Sequence, residues 1–401
     1  MKVLFYTKEY PPHVYGGAGV HVEYLAAELA KLMEVEVRSF GDQDIKEEHL
    51  RVLGFKNETL TLEHTRSEIA PIFKTLLTCI QMNGGIVDAD VVHCHTWYAQ
   101  FAGILSKLCY GTPLVVTTHS LEPLRPWKAE QLGRGYQASS WIEKTAIEMA
   151  DAVIAVSKET KEDVLKHFDV DENKIEVIYN GINLEQYQTT SETSALDKYG
   201  IDKTKPYVLF VGRITRQKGI IHLVNAINYL NPDVQVVLCA GAPDTEAIAR
   251  EMKEKVDSVT ENRKNVIWIA DMLPKSEVIQ LYSHADVFCC PSIYEPFGII
   301  NIEAMACSTA VVASSVGGIK EVVVDGETGI LVPLEQEKIA PFEAANPEQF
   351  AQDLAAAINS LMDDPVLRAK MAVNGRKRVE DYFDWSAIAK QTEELYKSLL
   401  K

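Results

Sequence analysis

Short runs of β-branched and aliphatic residues alternate with longer stretches of helical periodicity almost from end to end of the chain. In the first half the strand-like runs are 3–6, 35–40, 91–94, 114–118, 152–156 and 174–178; in the second they are 207–211, 235–240, 266–270, 285–290, 310–313 and 329–332. Most of these runs are apolar throughout rather than alternating, the mark of strands covered on both faces, so the pattern predicts parallel sheets with helices on either side. One such helix is predicted over 20–32, where Val20, Tyr24, Leu25, Leu29 and Leu32 fall on one face. The stretch 184–206 is polar, rich in Thr, Ser, Asp and Lys, and reads as a surface connector between the halves. The expected fold class is α/β, with two Rossmann-like doubly wound domains. Each carries a ligand-binding edge at the carboxyl ends of its strands, and the two edges face each other across a cleft.

A length of 401 residues suits two domains. Lys and Arg number 40 against 57 Asp and Glu, a net charge of −17, which repels phosphate backbones and anionic lipid; neither nucleic acid nor a membrane surface is expected as a partner. A small anion in a locally basic pocket stays compatible with that balance. The seven cysteines are an odd number without a C-x-x-C pair, and they read as buried reduced thiols rather than a disulfide framework. No apolar run approaches the ~20 residues of a membrane span, and the first residues lack the apolar stretch of a secretion signal. A cytoplasmic location is the expectation.

Three segments concentrate residues suited to phosphate and sugar chemistry. After the first strand-like run, Gly16, Gly17 and Gly19 open a helix, either to let backbone amides approach a phosphate or simply to make a tight turn. The spacing is not that of a dinucleotide fingerprint. After the run at 207–211, Arg213 offers a guanidinium fork and Lys218 a compact charge, a pairing suited to a diphosphate. Lys218 sits on a loop, so its removal is expected to leave stability nearly unchanged. After the run at 285–290, Glu295 and Glu303 lie eight positions apart, so one precedes the helix; Pro296 suits the helix start, and Gly298, Ile299 and Ile300 would present unpaired amides. His93 and His95 share a strand face and invite a metal, but no third ligand pattern accompanies them, and no metal is expected. Asp244 and Asp271 have no assignable role, and Trp97 and Trp127 suit sugar stacking or packing equally.

In order, GRITRQKG, PSIYEPFGIINIEAMA and SSVGGIKEVVVDGETGILV resemble the retaining glycosyltransferases of family 4, which have the GT-B architecture. HCHTWYAQFAG and TTHSLEPLRPWKAEQLGRGYQASSWIEKTA are similar to the short glycogen synthases that use ADP-glucose, whose close relatives make maltose 1-phosphate from glucose 1-phosphate. The resemblance implies an acceptor-side domain over 1–185, completed by a crossover helix at 384–401, and a nucleotide-sugar domain over 203–383. It implies that Arg213 and Lys218 bind the donor diphosphate and that Glu295 contacts the transferred glucose. Glu303 would hold the ribose, amides from Gly298 to Ile300 would touch phosphate, and His119 would reach the donor sugar. Gly16, Gly17 and Gly19 would close over the phosphates. Many relatives carry Asp where this chain has Thr96, so that acid's role does not transfer. The implied reaction moves glucose from ADP-glucose, or UDP-glucose, to the non-reducing end of an α-1,4-glucan with no cofactor. The alternative acceptor is glucose 1-phosphate, giving α-maltose 1-phosphate, with Arg125, Lys128 and Arg134 placed to receive its phosphate. A nucleotide-sugar epimerase or a non-catalytic binder is the remaining reading.

Overall fold

The computed structural model describes residues 1–56, 69–338 and 342–401. The chain divides into two compact units, Met1–Gly181 with Trp385–Lys401, and Ile182–Asp384. The sheet of the first unit comprises β1 (Lys2–Thr7), β2 (Glu34–Phe40), β3 (Asp44–Lys46), β4 (Leu50–Phe55), β5 (Val91–His95), β6 (Leu114–Thr118), β7 (Ala152–Ala155) and β8 (Ile175–Val177). Its order is β3-β4-β2-β1-β5-β6-β7-β8, parallel except where β3 runs antiparallel to β4. Because side chains alternate across a strand, Leu4 and Tyr6 enter one hydrophobic cluster while Val3 and Phe5 enter the other. That double burial is why β1 reads as an unbroken apolar run.

The second unit contains β9 (Tyr207–Arg213), β10 (Gln235–Gly241), β11 (Val266–Ile269), β12 (Val287–Cys290), β13 (Ala310–Ser314) and β14 (Gly329–Val332) in the order β11-β10-β9-β12-β13-β14. All of its ladders are parallel. Both sheets reverse direction beside their first strand, between β1 and β5 and between β9 and β12. Such a switch point leaves a crevice at the strands' carboxyl ends, where open α/β sheets take their ligands.

Several local expectations change. The first helix is Gly17–Leu29, and its buried face is His21, Val22, Leu25, Ala26 and Leu29; Leu32 lies beyond the helix and is 40% exposed. Small Ala26 joins the core on this face, and Gly19 sets the helix start against Glu9 and Val14 of the preceding loop, a signal hidden by following only large apolar side chains. The polar stretch 184–206 is no mere surface connector. It forms the helix Ser194–Tyr199, buries Tyr187, Ala195, Leu196 and Ile201, and belongs to the second unit. The helix Trp385–Leu399 packs on Gly17–Leu29, burying Trp385, Ile388, Ala389 and Tyr396 in the first unit. Six cysteines are buried, whereas Cys109, in the last turn of the helix Trp97–Tyr110, is exposed; all seven are free thiols. Among the described residues no helix is long and apolar enough to cross a membrane.

Candidate active site

In the second unit the loops that follow β9 and β12 meet at the switch point. Ile293 donates its backbone N–H to the Gln217 carbonyl at 3.0 Å. Gly219 has φ +58°, and a Cβ there would lie 2.0 Å from the Pro291 oxygen, so a side chain at this position would force the loops apart. Their approach brings Lys218 Nζ to 2.6 Å from Glu295 Oε2, with side-chain exposures of 19% and 9%. Ser292 Oγ donates to the same oxygen at 3.4 Å. Glu295 is supported from behind by Gly318, whose N–H reaches its carbonyl at 2.9 Å. A Cβ on Gly317, at φ +54°, would come within 2.0 Å of that carbonyl oxygen.

Arg213, the last residue of β9, donates from Nη1 to Asp244 Oδ1 at 2.8 Å, which supplies a partner role for an acid that the sequence left unassigned. The helix after the second loop begins at Ile299 with Gly298 as its cap at φ +100° and no capping side chain, so Pro296 lies in the loop rather than at the helix start. Its first-turn amides, from Ile299 onward, are of the kind that bind phosphate. Glu303, one turn further, accepts from Tyr187 Oη at 2.9 Å and Tyr282 Oη at 3.1 Å. Burial holds its carboxyl above the ordinary range even though both phenols act to lower it. Arg376 Nη1 ties the Tyr187 carbonyl, at 2.8 Å, to the Ala306 carbonyl, at 2.6 Å, at the end of the same helix.

In the first unit the glycine loop after β1 wraps an internal carboxylate. Tyr15 and Gly16 both donate backbone N–H groups to Glu9 Oε2 at 2.8 Å. A Cβ on Gly19 would meet that side chain at 2.8 Å. Two amides suited to a phosphate therefore already face a carboxylate.

Beside this loop the ends of β5 and β6 gather histidines. In-register pairing sets His95 against Thr117, two positions before His119. His95 Nδ1 and His119 Nε2 are 3.1 Å apart, and His21 Nδ1 donates to Asn180 Oδ1 at 2.6 Å. One nitrogen from each of His21, His95 and His119 lies within 4.8 Å of the others. The chelating pair suggested by the spacing, His93 with His95, does not form. Both ring nitrogens of His93 are engaged, with Tyr396 Oη and Thr117 Oγ1, each at 2.6 Å. Burial drives His21 down to about 4 and holds His93, His95 and His119 well below the ordinary histidine range. The imidazoles are therefore neutral near pH 7. Thr96, which follows His95, sits at φ +63°, a rare backbone for a β-branched residue and a form of strain that clusters at functional sites.

On the excursion after β6, Arg125 donates to Ser120 Oγ at 2.9 Å and stands 3.9 Å from Glu122 Oε1. Lys128 is partly buried and Arg134 exposed. Glu143 Oε2 accepts the Glu122 N–H at 2.7 Å, and burial together with the Glu122 carboxyl keeps its own carboxyl well above the usual range. Trp97 and Trp127 are both 5% exposed and serve as packing residues.

Residues 15–186 match Glycosyltransferase Family 4, and residues 191–378 match Glycosyl transferases group 1. The chain is 47% identical to the alpha-maltose-1-phosphate synthase of Mycolicibacterium smegmatis across the whole of both chains. The chain belongs to the GT-B glycosyltransferases of family 4. It is also 28% identical to a glycogen synthase of Mycobacterium tuberculosis over 99% of this chain and 94% of that one. Among solved structures, sucrose-phosphate synthase from Thermosynechococcus elongatus superposes with a TM-score of 0.79 at 26% identity, covering 99% of this chain and 98% of that one. As a GT-B glycosyltransferase, the chain brings together Lys218 and Glu295 in one unit, and His95 and His119 in the other. Three neighbours escaped the sequence reading. His21 could have been found as the polar member of a buried helix face. Tyr187 lies in a polar stretch without a signal, and Asn180 has no motif of its own.

Proposed function

We propose that this glycosyltransferase retains configuration and transfers glucose from ADP-glucose to glucose 1-phosphate, forming α-maltose 1-phosphate and ADP. The observation that carries this reading is the full-length 47% identity with an alpha-maltose-1-phosphate synthase, against 28% with a glycogen synthase. It reverses the order of acceptors drawn from the sequence, where an α-1,4-glucan came first. Arg125, fixed by Ser120 in the excursion after β6, is the best-anchored candidate for the acceptor phosphate; Lys128 and Arg134 are secondary.

In the proposed step the bond between glucose C1 and the β-phosphate oxygen breaks, and the acceptor O4 bonds to C1 on the same face. The O4 proton passes to the departing phosphate, so no separate base is needed. Negative charge grows on the β-phosphate, and fixed cations there stabilise it without reorganising. Lys218 has one of its three donors on Glu295 and two left for phosphate oxygens. Lys218 and Ser292 both contact Glu295 at Oε2, which suits Oε1 to sugar hydroxyls. Glu303 keeps lone pairs for ribose hydroxyls beyond its two tyrosines, and His119 is the first unit's candidate contact to the transferred sugar. No cofactor enters the step.

Incubation with ADP-glucose and either glucose 1-phosphate or glycogen tests the reading. Formation of α-maltose 1-phosphate, identified by NMR, supports it. Glucan elongation with glucose 1-phosphate left unconsumed would overturn the acceptor, and a β-linked product would overturn retention.

A further inference from the structure

The three histidines at the switch point of the first unit do more than crowd a sugar site. His21 is oriented by Asn180: its Nδ1–H is committed to the Asn180 oxygen, so Nε2 carries a bare lone pair. That Nε2 is buried and has no partner among the described residues. Buried polar nitrogens are ordinarily satisfied, and an orphaned lone pair beside two further imidazoles is an unmet demand for a ligand. A carbonyl or carboxamide oxygen holding the far nitrogen of a ring is the usual outer support of a metal-binding histidine.

We propose that His21, His95 and His119 form a binding site for a divalent transition metal of the zinc class, and that its occupation withdraws His119 from glycosyl transfer. Zinc–nitrogen bonds of 2.0–2.1 Å in a tetrahedral site place ligand nitrogens about 3.4 Å apart. The present separations, all within 4.8 Å, close to that value by ring movements of about 1 Å. His95 and His119, at 3.1 Å, already have the required spacing. An all-imidazole donor set selects zinc, copper or nickel over magnesium or calcium, which want oxygen. Three protein ligands leave one position for water. His93 takes no part, because Tyr396 and Thr117 occupy both of its nitrogens. The metal is thus an inhibitor of this enzyme rather than its cofactor; that second half rests on the role proposed for His119, whereas the binding half does not.

The test uses the full chain without an affinity tag, titrated with Co²⁺ and then with competing Zn²⁺. One equivalent of Co²⁺ is expected to give the visible bands of a near-tetrahedral nitrogen site, displaced by Zn²⁺ and unaffected by Mg²⁺. His21→Leu and His119→Ala should each weaken binding at least about tenfold, while His13→Ala, an exposed histidine paired with Asp42, should leave it unchanged. Circular dichroism confirms that each variant is folded. Absence of the bands, or equal binding by wild type and His21→Leu, overturns the site. Zn²⁺ should inhibit glucosyl transfer with the midpoint seen in the titration, reversibly with a chelator, and His21→Leu should raise that midpoint at least about tenfold. Stoichiometric metal binding with undiminished transfer would overturn the inhibitory half and, with it, the role of His119.

Discussion

Lys218→Ala separates what the loop position suggests from what the structure dictates. In isolation a loop lysine contributes little to stability, but Lys218 is 2.6 Å from a carboxylate whose side chain is only 9% exposed. Truncation leaves Glu295 Oε2 with Ser292 at 3.4 Å as its remaining side-chain donor. Removing one partner of a buried pair costs about 3–5 kcal/mol; with Lys218 itself 19% exposed, the low end, about 3 kcal/mol, applies. For a unit of this size about 2–4 °C of Tm accompanies each kcal/mol, giving a fall of about 6–12 °C. Replacing both charges, as Lys218→Met with Glu295→Gln, removes the stranded carboxylate and should recover most of that loss. Turnover behaves differently. Both variants lack the cation proposed to stabilise the leaving phosphate and should lose about 100–1000-fold, corresponding to about 2.7–4 kcal/mol. Calorimetry and product formation from ADP-glucose are measured on the same preparations. A single variant melting within about 2 °C of wild type, or a double variant less stable than the single, would refute the argument from the buried pair.

Gly317→Ala should cost far more stability and turnover than Gly326→Ala, because both glycines have positive φ but only Gly317 would press a Cβ to 2.0 Å from the Glu295 carbonyl; equal Tm values would show that the loop yields freely. Truncation before Trp385 removes Trp385, Ile388, Ala389 and Tyr396 from the core of the first unit, so its thermal transition should drop or vanish while the second unit's persists. The milder Tyr396→Phe leaves His93 Nδ1 without its 2.6 Å partner and should cost about 1–3 kcal/mol by chemical denaturation. His222 is 2% exposed against Phe350 and is pushed down to about 4 from an ordinary 6.5. Between those values the unfolded chain binds more protons, so stability of the second unit should rise with pH across that window by on the order of 3 kcal/mol and level off above it; His222→Leu should flatten the Tm–pH profile, and an unchanged profile would show that the ring is hydrated.

The alternation of apolar runs and amphipathic stretches carries both parallel sheets, because strands covered on two faces leave no polar positions to blur them. It does not carry β3 and β4: at the edge of the sheet they mix exposed and buried positions, and Arg51 and Gly54 interrupt the apolar run. The site residues were visible singly and their partnerships were not. Lys218 and Glu295 are 77 positions apart and meet because β12 pairs directly with β9, a strand order that no local pattern records. His21 shows the same limit more sharply. It lies on a helix and belongs to no motif, and its meaning depends on which strand ends that helix covers. Tyr187 reaches Glu303 from a stretch whose polarity suggested a linker. Local physics writes the elements; the order in which they are laid side by side writes the chemistry.

That order also bears on how a chain of net charge −17 would hold the proposed diphosphate. The two cations proposed for it are each paired, Lys218 with Glu295 and Arg213 with Asp244, so the group is close to neutral before any donor arrives. The carboxylates hold the cations in fixed positions and partly screen them. On the proposed roles, attraction for the donor comes in good part from the amides after Gly298, and the cations act most where charge grows during the reaction. Interactions that strengthen toward the transition state raise turnover rather than ground-state affinity. Glu295→Gln accordingly acts in opposite directions on the two quantities. On the proposed roles it releases Lys218 to the phosphate, which should sustain donor binding, and it removes both the charged anchor of Lys218 and the negative charge assigned beside the oxocarbenium-like sugar, which should lower turnover.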